Sequence, residues 1–394
     1  MEDKTIYLDY ASTTPISASV YRKMLECYSK CGGNSSSLYR FGREAKSELE
    51  LARKKVAKAI GADPSEIYFT SGGTEANNWA IKGIARANKS KGKHIITSAI
   101  EHSSVLEACK DLQREGFKVT YVPVDSNGVV DYASIIKSIC PDTILISVMT
   151  ANNEVGTLEP VRAIAELAKQ NEIYFHTDAI GAVGSLSLNV KELGADLLSI
   201  SAHKIYGPKG CGALYIKKGT KIENIISGGK QERGMRAGTE NVPVIAGFGQ
   251  AIEDATTELD EKVRTVRVIR KYFQKKVSES IHNISLNGHP TQRLANNCSI
   301  SFEGANAEAI VMMLDKENIC ASFGAACELS SSEPSHVLAA MGREIENNQS
   351  TVRFTFGAEI SREDVDEVVE KLRKVVKKLR SMSAIRIYKE KVEL

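Results

Sequence analysis

Lys204 is a candidate nucleophile because of the segment in which it lies, SAHKIYGPKG at residues 201 to 210. It follows an apolar run typical of a strand and stands beside His203 in a turn rich in glycine and proline. A lysine held among apolar neighbours and near positive charge has its ammonium form disfavoured, so the free amine can form a Schiff base with a carbonyl group. A lysine on an ordinary surface loop is the simpler alternative.

Two further side chains stand where predicted strands end. The string HTDAIGAVG places Asp178 after a strand predicted over 173–177, and SAIEHSSVL places His102 at a strand-to-helix turn. Ligands of open α/β sheets bind at the carboxyl ends of strands. An aspartate there could pair with a pyridinium nitrogen, and an imidazole could stack on a ring and move a proton. Taken singly, Asp178 could equally cap a turn, and a lone histidine does not define a site.

The segment FTSGGTEANN, residues 69 to 78, could hold a phosphate. A strand runs into a glycine pair and Thr74 opens a helix, so backbone amides and the positive end of the helix dipole meet at one turn. Taken alone, this is more simply an ordinary turn capped by Thr74. A phosphate cradle, a histidine, an aspartate and a lysine nevertheless follow one another in the order that a pyridoxal phosphate site uses.

One of the eight cysteines differs from the rest in its surroundings. Cys327 lies in ASFGAACELSSSEPSHVL between a predicted strand and helix, and the flanking glycine and serines predict a mobile loop from which a thiol could attack a substrate sulfur. Most of the others lie in strand or helix patterns, where burial makes a thiol inert. Cys27 and Cys31 have no second pair nearby, so we predict no metal site. Scattered cysteines also favour a reducing cytoplasm.

Apolar runs alternate with helical segments through the first two-thirds of the chain and predict a large α/β sheet. The predicted strands are 67–70, 94–98, 118–122, 143–149, 173–176, 196–201 and 212–216, and the helices between them include 74–88, 103–115, 131–139 and 161–171. A long charged helical segment, about 243–279, is interpreted as the connection to a smaller α+β domain. Strands at 297–302, 319–322 and 351–356, and helices at 307–317, 333–341 and 363–382, complete the prediction.

Composition excludes several classes of function. The chain has 394 residues, 42% hydrophobic and 26% charged, with a net charge of +3, which is too even to indicate nucleic acid or an anionic membrane as a partner. Its apolar stretches fall far short of the roughly 18 residues that span a bilayer. The first residues do not have the pattern of a secretory signal. We therefore expect a cytoplasmic protein that neither enters a membrane nor binds nucleic acid directly.

Taken together, these motifs resemble the cysteine desulfurases of the NifS/IscS type, which belong to the class-V aminotransferases. The resemblance covers nearly the whole chain and is carried by YLDYASTTP, GNSSSLYRFGR, FTSGGTEANN, IEHSSVL, ANNEVGT, HTDA, SAHKIYGPKG, GGKQERGMRAGTEN and FGAAC followed by EPSHVL. It implies a fold-type I pyridoxal-phosphate-dependent transferase with a mostly parallel seven-stranded sheet. A homodimer is also implied, with a large cofactor domain at 16–255 and a small domain formed by 1–15 and 256–394. The spacing from Cys327 to EP matches the group with a long Cys loop.

The resemblance also implies a role for each matched residue. Lys204 would bond to the cofactor, Asp178 would pair with its ring nitrogen, and His102 would stack on the ring as acid and base. The remaining cofactor contacts would come from Gly73, Thr74, Asn153, Ser201, His203 and, reaching the phosphate of the other subunit, Thr239. Arg353 would bind the substrate carboxylate.

The implied reaction converts L-cysteine to L-alanine and leaves a persulfide on Cys327, which then passes its sulfur to an acceptor protein. The sequence leaves the acceptor open among an iron–sulfur scaffold, tRNA thiolation, a thiolated cofactor and DNA phosphorothioation. Two alternatives stay open as well. One is an enzyme like selenocysteine lyase. The other is a catalytically weakened dimeric docking protein, suggested by Gly181 where the family usually has glutamine, and by Tyr10 and Tyr39.

Overall fold

A computed structural model of the protein describes residues 4–324, 335–344 and 348–382. Cys327 and its predicted loop lie outside these residues. The strands are β1 (Ile6–Tyr7), β2 (Ile67–Thr70), β3 (His94–Ser98), β4 (Lys118–Val122), β5 (Thr143–Ser147), β6 (Tyr174–Asp178), β7 (Leu197–Ser201), β8 (Gly212–Ile216), β9 (Ile284–Asn287), β10 (Asn297–Phe302), β11 (Ile319–Cys320), β12 (Ser322–Phe323) and β13 (Thr351–Thr355). The helices are α1 (Ala18–Lys30), α2 (Arg40–Ala59), α3 (Gly73–Ala87), α4 (Ser103–Arg114), α5 (Tyr132–Ser138), α6 (Val161–Gln170), α7 (Val190–Leu193), α8 (Val242–Thr256), α9 (Leu259–Ser280), α10 (Ala307–Asp315), α11 (His336–Ala340) and α12 (Arg362–Met382).

The central sheet has seven strands in the order β2-β8-β7-β6-β5-β3-β4. All neighbouring pairs are parallel except those that β8 makes with β2 and β7. Successive side chains of a strand point to opposite faces. On β3, Ile95 packs with Trp79 of α3, whereas Ile96 packs with Ile164 of α6. Both faces are thus covered by helices, which confirms the predicted mostly parallel α/β sheet.

A second, antiparallel sheet has the order β12-β13-β10-β9. Its apolar face packs on α9, α10 and α12 around Phe273, Phe302 and Phe354. Strand β1 belongs to this side of the molecule because it pairs with β11. The division into domains at residues 15 and 255 stays a prediction.

Two sequence predictions about this second part of the chain were wrong in detail. The segment predicted as one helix over 243–279 forms two helices, because Glu258 between them adopts a left-handed backbone with φ of 54°. A residue in that region cannot continue a right-handed helix. The strand predicted over 319–322 is also divided. Ile319 and Cys320 pair with β1, whereas Ser322 and Phe323 pair with β13.

The topology brings the carboxyl ends of β4 and of five further strands to one edge. Strands β3, β5, β6 and β7 are parallel, and β2 runs in the same direction because both β2 and β7 are antiparallel to β8. The predicted site residues of the large sheet follow these five ends. This edge of the sheet is therefore where their chemistry must be assembled.

A buried ion pair fixes the chain just before Thr239. Arg53 of α2 donates from Nη1 and Nη2 to the carboxylate of Glu232, at 2.7 and 2.8 Å, and both side chains are 2% exposed. The same carboxylate accepts the backbone N–H of Phe69 in β2. Four residues further on, Arg236 pairs with Glu75 of α3 at 2.8 Å. The segment that carries Thr239 is thereby attached to the strand and helix of the predicted phosphate cradle.

Replacing Glu232 should reveal the cost of breaking the buried pair. Glu232→Gln leaves the buried Arg53 guanidinium with only the more exposed Glu50 as a counter-charge, and we expect the free energy of unfolding to fall by about 3 kcal/mol, the lower end of the cost of breaking a buried pair. The change in the free energy of unfolding is measured by urea denaturation. The signal is the fluorescence of the buried Trp79, the single tryptophan of the chain. Glu370→Gln is the control, since it breaks an exposed pair with Lys374 and should change little. Equal effects of the two substitutions would contradict this account.

Candidate active site

A cavity of about 230 Å³ lies at the carboxyl edge of the large sheet. It is lined by nine of the predicted site residues: Gly73, Thr74, His102, Asn153, Asp178, Ser201, His203, Lys204 and Arg353. Arg353 comes from β13 of the second sheet, so the cavity lies between the two sheets. Thr239 is exposed and lies outside the cavity. Cys327 lies outside the described residues.

Asp178 is the last residue of β6, and its carboxylate is held from two sides. The side-chain amide of Asn77 donates to Oδ2 at 2.7 Å, and the backbone N–H of Ile180 donates to Oδ1 at 2.9 Å. Asn77 is fully buried on α3. The two hydrogen bonds fix the direction in which the carboxylate faces the cavity.

His102 caps the N-terminus of α4 with its ring. The backbone N–H of Ser104 donates to Nδ1 at 3.1 Å, and the Ser104 hydroxyl lies 2.8 Å from the same nitrogen. Because Nδ1 accepts a hydrogen bond, the proton of the neutral ring is on Nε2. The Ser104 hydroxyl also accepts from Asn77 at 2.9 Å. Asp178, Asn77, Ser104 and His102 therefore form one connected polar network.

The turn between β2 and α3 combines features of an anion site. Helix α3 begins at Gly73, and no side chain caps its first amides. The facing hydroxyl of Ser201 is buried and makes no hydrogen bond within the protein. A Cβ atom at residue 73 would lie 2.1 Å from Ile180 Cδ1, so any other residue there would displace the end of the Ile180 side chain. Burial, together with the charges of nearby lysines, lowers the pKa of His203 to about 4, so its ring is neutral at pH 7.

Lys204 ends a short 3-10 turn that follows β7. Its ammonium donates to the carbonyl oxygens of Ala11 and Ser12, the latter at 2.7 Å. The N-terminal segment is bonded to this turn through Thr14 as well, because the backbone N–H of Thr14 donates to the carbonyl of His203 at 2.9 Å. Residues 11–14 therefore lie against the lysine turn, and Ala11 and Ser12 line the cavity.

Glu101, next to His102, is fully buried in the cavity wall. Its Oε1 accepts from the Ser98 hydroxyl at 2.5 Å and from the backbone N–H of Met149 at 3.0 Å, whereas Oε2 makes no hydrogen bond within the protein. Burial away from solvent raises the pKa of Glu101 to about 8, and the negative charge of Asp178 adds to this effect. The side chain is therefore mostly a neutral acid at pH 7.

Several functional contacts involve residues that the sequence analysis did not single out. His336 donates from Nε2 to the carbonyl of Glu101 at 2.9 Å, and the neighbouring Ser335 donates to the carboxylate of Glu154 at 2.5 Å. These bonds attach the start of α11 to the cavity wall. For Asn77, the available signal was a polar residue among the apolar positions of a predicted helix.

Comparisons with known proteins identify the family. The class-V aminotransferase family matches residues 6–368. Cysteine desulfurase IscS of Methanosarcina thermophila is 51% identical over 384 residues, which cover 98% of this chain and 95% of that protein. A solved NifS-like protein has a TM-score of 0.90 at 37% identity, covering 95% of this chain and all of the other. A structure of SspA in complex with cysteine has a TM-score of 0.79 at 35% identity, covering 90% and 99%.

The fold is that of the fold-type I pyridoxal-phosphate-dependent transferases, and the chain belongs to the class-V aminotransferase family. Within that family it is one of the cysteine desulfurases of the NifS/IscS type. The resemblance inferred from the motifs is thus confirmed. In the described part of the chain, no helix has both the length and the apolar composition needed to cross a membrane. Those residues also include no cluster of three or more side chains suited to a metal ion.

The buried acid in the cavity wall should give the protein a distinctive pH dependence. The pKa of Glu101 is about 8 in the folded chain, against an ordinary value of 4.5, so unfolding releases a proton between these values. Its contribution to stability is present below pH 4.5 and is lost as the pH rises to 8. Glu101→Gln mimics the neutral acid at every pH, so its contribution to stability does not fall as the pH rises. We expect the Tm of the variant minus that of the wild type to grow from pH 5 to 8 and then level off. A difference independent of pH would contradict the assignment.

Proposed function

We propose that this protein is a pyridoxal-phosphate-dependent cysteine desulfurase that converts L-cysteine to L-alanine and takes the sulfur as a persulfide on Cys327. The observation that carries the proposal is the convergence of the Asp178–Asn77–Ser104–His102 network, Lys204 and Arg353 on one cavity. The chain's similarity to cysteine desulfurase IscS supports the reaction, and the cysteine in the SspA complex supports the substrate.

The residues present fit pyridoxal phosphate. The uncapped N-terminus of α3 and the unpaired Ser201 hydroxyl offer donors for a phosphate. Asp178, anchored by Asn77, offers a fixed anion for the ring nitrogen, and a charge there is what a pyridinium requires. Lys204 lines the same cavity and offers the amine. We assign Gly73, Thr74, Asn153 and His203 to the cofactor as well, because they too line the cavity.

When bound, pyridoxal phosphate supplies an electron sink that labilises bonds at the substrate's α-carbon. Asp178 stabilises the positive charge on the ring nitrogen. His102 is placed by Ser104 so that its exchangeable proton is on Nε2, the atom at which it can give or take a proton. Arg353, with its planar guanidinium in the cavity, binds the substrate carboxylate.

Cys327 completes the reaction as a thiolate. Its sulfur attacks the sulfur of the substrate, an S–S bond forms, and the C–S bond breaks with its electron pair left on the carbon fragment. That fragment takes up protons and leaves as L-alanine. Cys327 keeps a persulfide, and the outer sulfur of that persulfide can pass to a second thiol. The acceptor is a protein of one of the classes left open by the sequence.

We also propose that two copies of the chain form the working enzyme, with Thr239 reaching the phosphate site of the partner. Thr239 is exposed rather than directed into its own cavity, and Glu232 and Arg236 hold its segment in place. An exposed residue on an anchored segment is what a contribution to a partner's site requires.

A measurement of turnover separates this proposal from the alternative that Gly181 suggested, a catalytically weakened docking protein. A Cβ atom at residue 181 would meet only the carbonyl of Ala151, at 3.7 Å, so the glycine leaves space in the cavity without removing any of the groups named above. A selenocysteine lyase would prefer the selenium analogue of L-cysteine by a large factor.

The test measures sulfide and L-alanine released from L-cysteine in the presence of a dithiol reductant. Equal amounts of both products are expected from the wild type, and none above background from Lys204→Ala, which loses the amine. Lys218→Ala is the control, an exposed lysine just after β8 and outside the cavity, and should stay active. A yellow, cofactor-loaded wild type that releases neither product would favour the docking protein. Release of selenide from selenocysteine alone would favour the lyase.

A further inference from the structure

The Arg353 guanidinium is already occupied by groups of this chain. Nη2 donates to Asp9 Oδ1 at 3.0 Å and to the Ser12 hydroxyl at 2.8 Å, and Nη1 donates to the carbonyl of Asn153 at 3.2 Å. The Nε atom is buried and makes no hydrogen bond within the protein. With its side chain only 3% exposed, Arg353 depends on Asp9 for its counter-charge.

Asp9 cannot easily move away from this position. Its segment is bonded to β13 on both sides, because Thr355 donates its N–H to the carbonyl of Leu8 at 2.8 Å and accepts the N–H of Ala11 on its hydroxyl at 2.9 Å. The Ser12 hydroxyl donates to Asp9 Oδ1 at 2.8 Å. These three hydrogen bonds fix the Asp9 carboxylate beside the guanidinium.

A second carboxylate that binds Arg353 must share it with Asp9. The guanidinium has five N–H groups: Nη2 donates both of its own to Asp9 and Ser12, whereas Nη1 donates one to Asn153 and keeps the other for a further acceptor. Two anions around one cation repel each other, however, and burial strengthens that repulsion. The ligand is therefore bound less tightly than it would be by Arg353 with a neutral neighbour.

We propose that Asp9 is the residue that sets the affinity of this site for α-carboxylates, by competing with substrate and product for Arg353. The inference rests on the proposed function, in which L-cysteine enters and L-alanine leaves with the same carboxylate. Binding that is equally strong for substrate, transition state and product lowers KM without raising kcat. A fixed competing anion keeps Arg353 oriented and allows the amino acid product to leave.

The test compares two ligands that differ only in the carboxylate. L-alanine and ethylamine are titrated into cofactor-loaded wild type and Asp9→Asn, and binding is followed by the absorption of the bound cofactor. We expect the substitution to lower the dissociation constant of L-alanine by about tenfold. The dissociation constant of ethylamine should not change, because ethylamine does not touch Arg353. The KM for L-cysteine should fall as well, while kcat does not rise.

Three further variants separate a charge effect from a structural one. Asp9→Glu keeps the charge and should bind L-alanine like the wild type. Asp366→Asn makes the same chemical change at an exposed pair with Lys276 and should have no effect. In the Asp9→Asn, Arg353→Gln double variant, which leaves no unpaired buried charge, the gain in L-alanine affinity over Arg353→Gln alone should be smaller than the gain that Asp9→Asn gives when Arg353 is present. If Asp9→Asn does not fold, Asp9→Ser, which keeps an acceptor for Nη2, replaces it.

Either of two results would overturn the proposal. Weaker binding of L-alanine by Asp9→Asn would mean that Asp9 only orients Arg353, and unchanged binding would mean that the two carboxylates do not compete. If the proposed function itself were wrong, the wild type would bind neither L-alanine nor ethylamine at the cofactor. That result is distinct from both of the results above.

Discussion

The site depends on holding one carboxylate still at the end of a strand. Asp178 ends β6, where an anion would otherwise be free to turn toward water, and Asn77 and the N–H of Ile180 prevent this. Because Asn77 also reaches Ser104, and Ser104 positions His102, the direction of the anion and the direction of the imidazole are fixed together. A buried network of this kind is stable only when its members are satisfied, which is why α3 and α4 must pack side by side.

Burial also decides which groups around this network carry charge. His203 is neutral and Glu101 is mostly protonated at pH 7, so neither adds a charge to the cavity wall. The charged side chains at the cavity then include Asp178, Glu154, Lys204 and the Arg353–Asp9 pair. This distribution fits the proposed function, in which Asp178 serves the ring nitrogen of the cofactor, Lys204 its carbonyl and Arg353 the carboxylate of the substrate.

Much of this architecture could be predicted from the sequence, because local signals specify it. The glycine pair at 72–73, the strand that ends at Asp178 and the turn that carries Lys204 are each recognisable within about ten residues. The partners that orient these groups are not local. Asp9 and Arg353 are 344 positions apart, and Asn77 and Asp178 are 101 apart, so no periodicity or spacing joins them. The break at Glu258 was missed for another reason, since a helical pattern leads up to it and another begins directly after it.

The central claim is that the cavity transfers sulfur from L-cysteine to Cys327 by way of the cofactor held at Lys204. Mass spectrometry of the purified protein after brief exposure to L-cysteine tests this most directly. The account predicts that the peptide containing Cys327 gains the mass of one or more sulfur atoms, that the gain disappears on mild reduction, and that Cys327→Ala and Lys204→Ala do not show it. A wild-type protein with bound cofactor and no added sulfur on Cys327, or an equal gain in Lys204→Ala, would contradict the account.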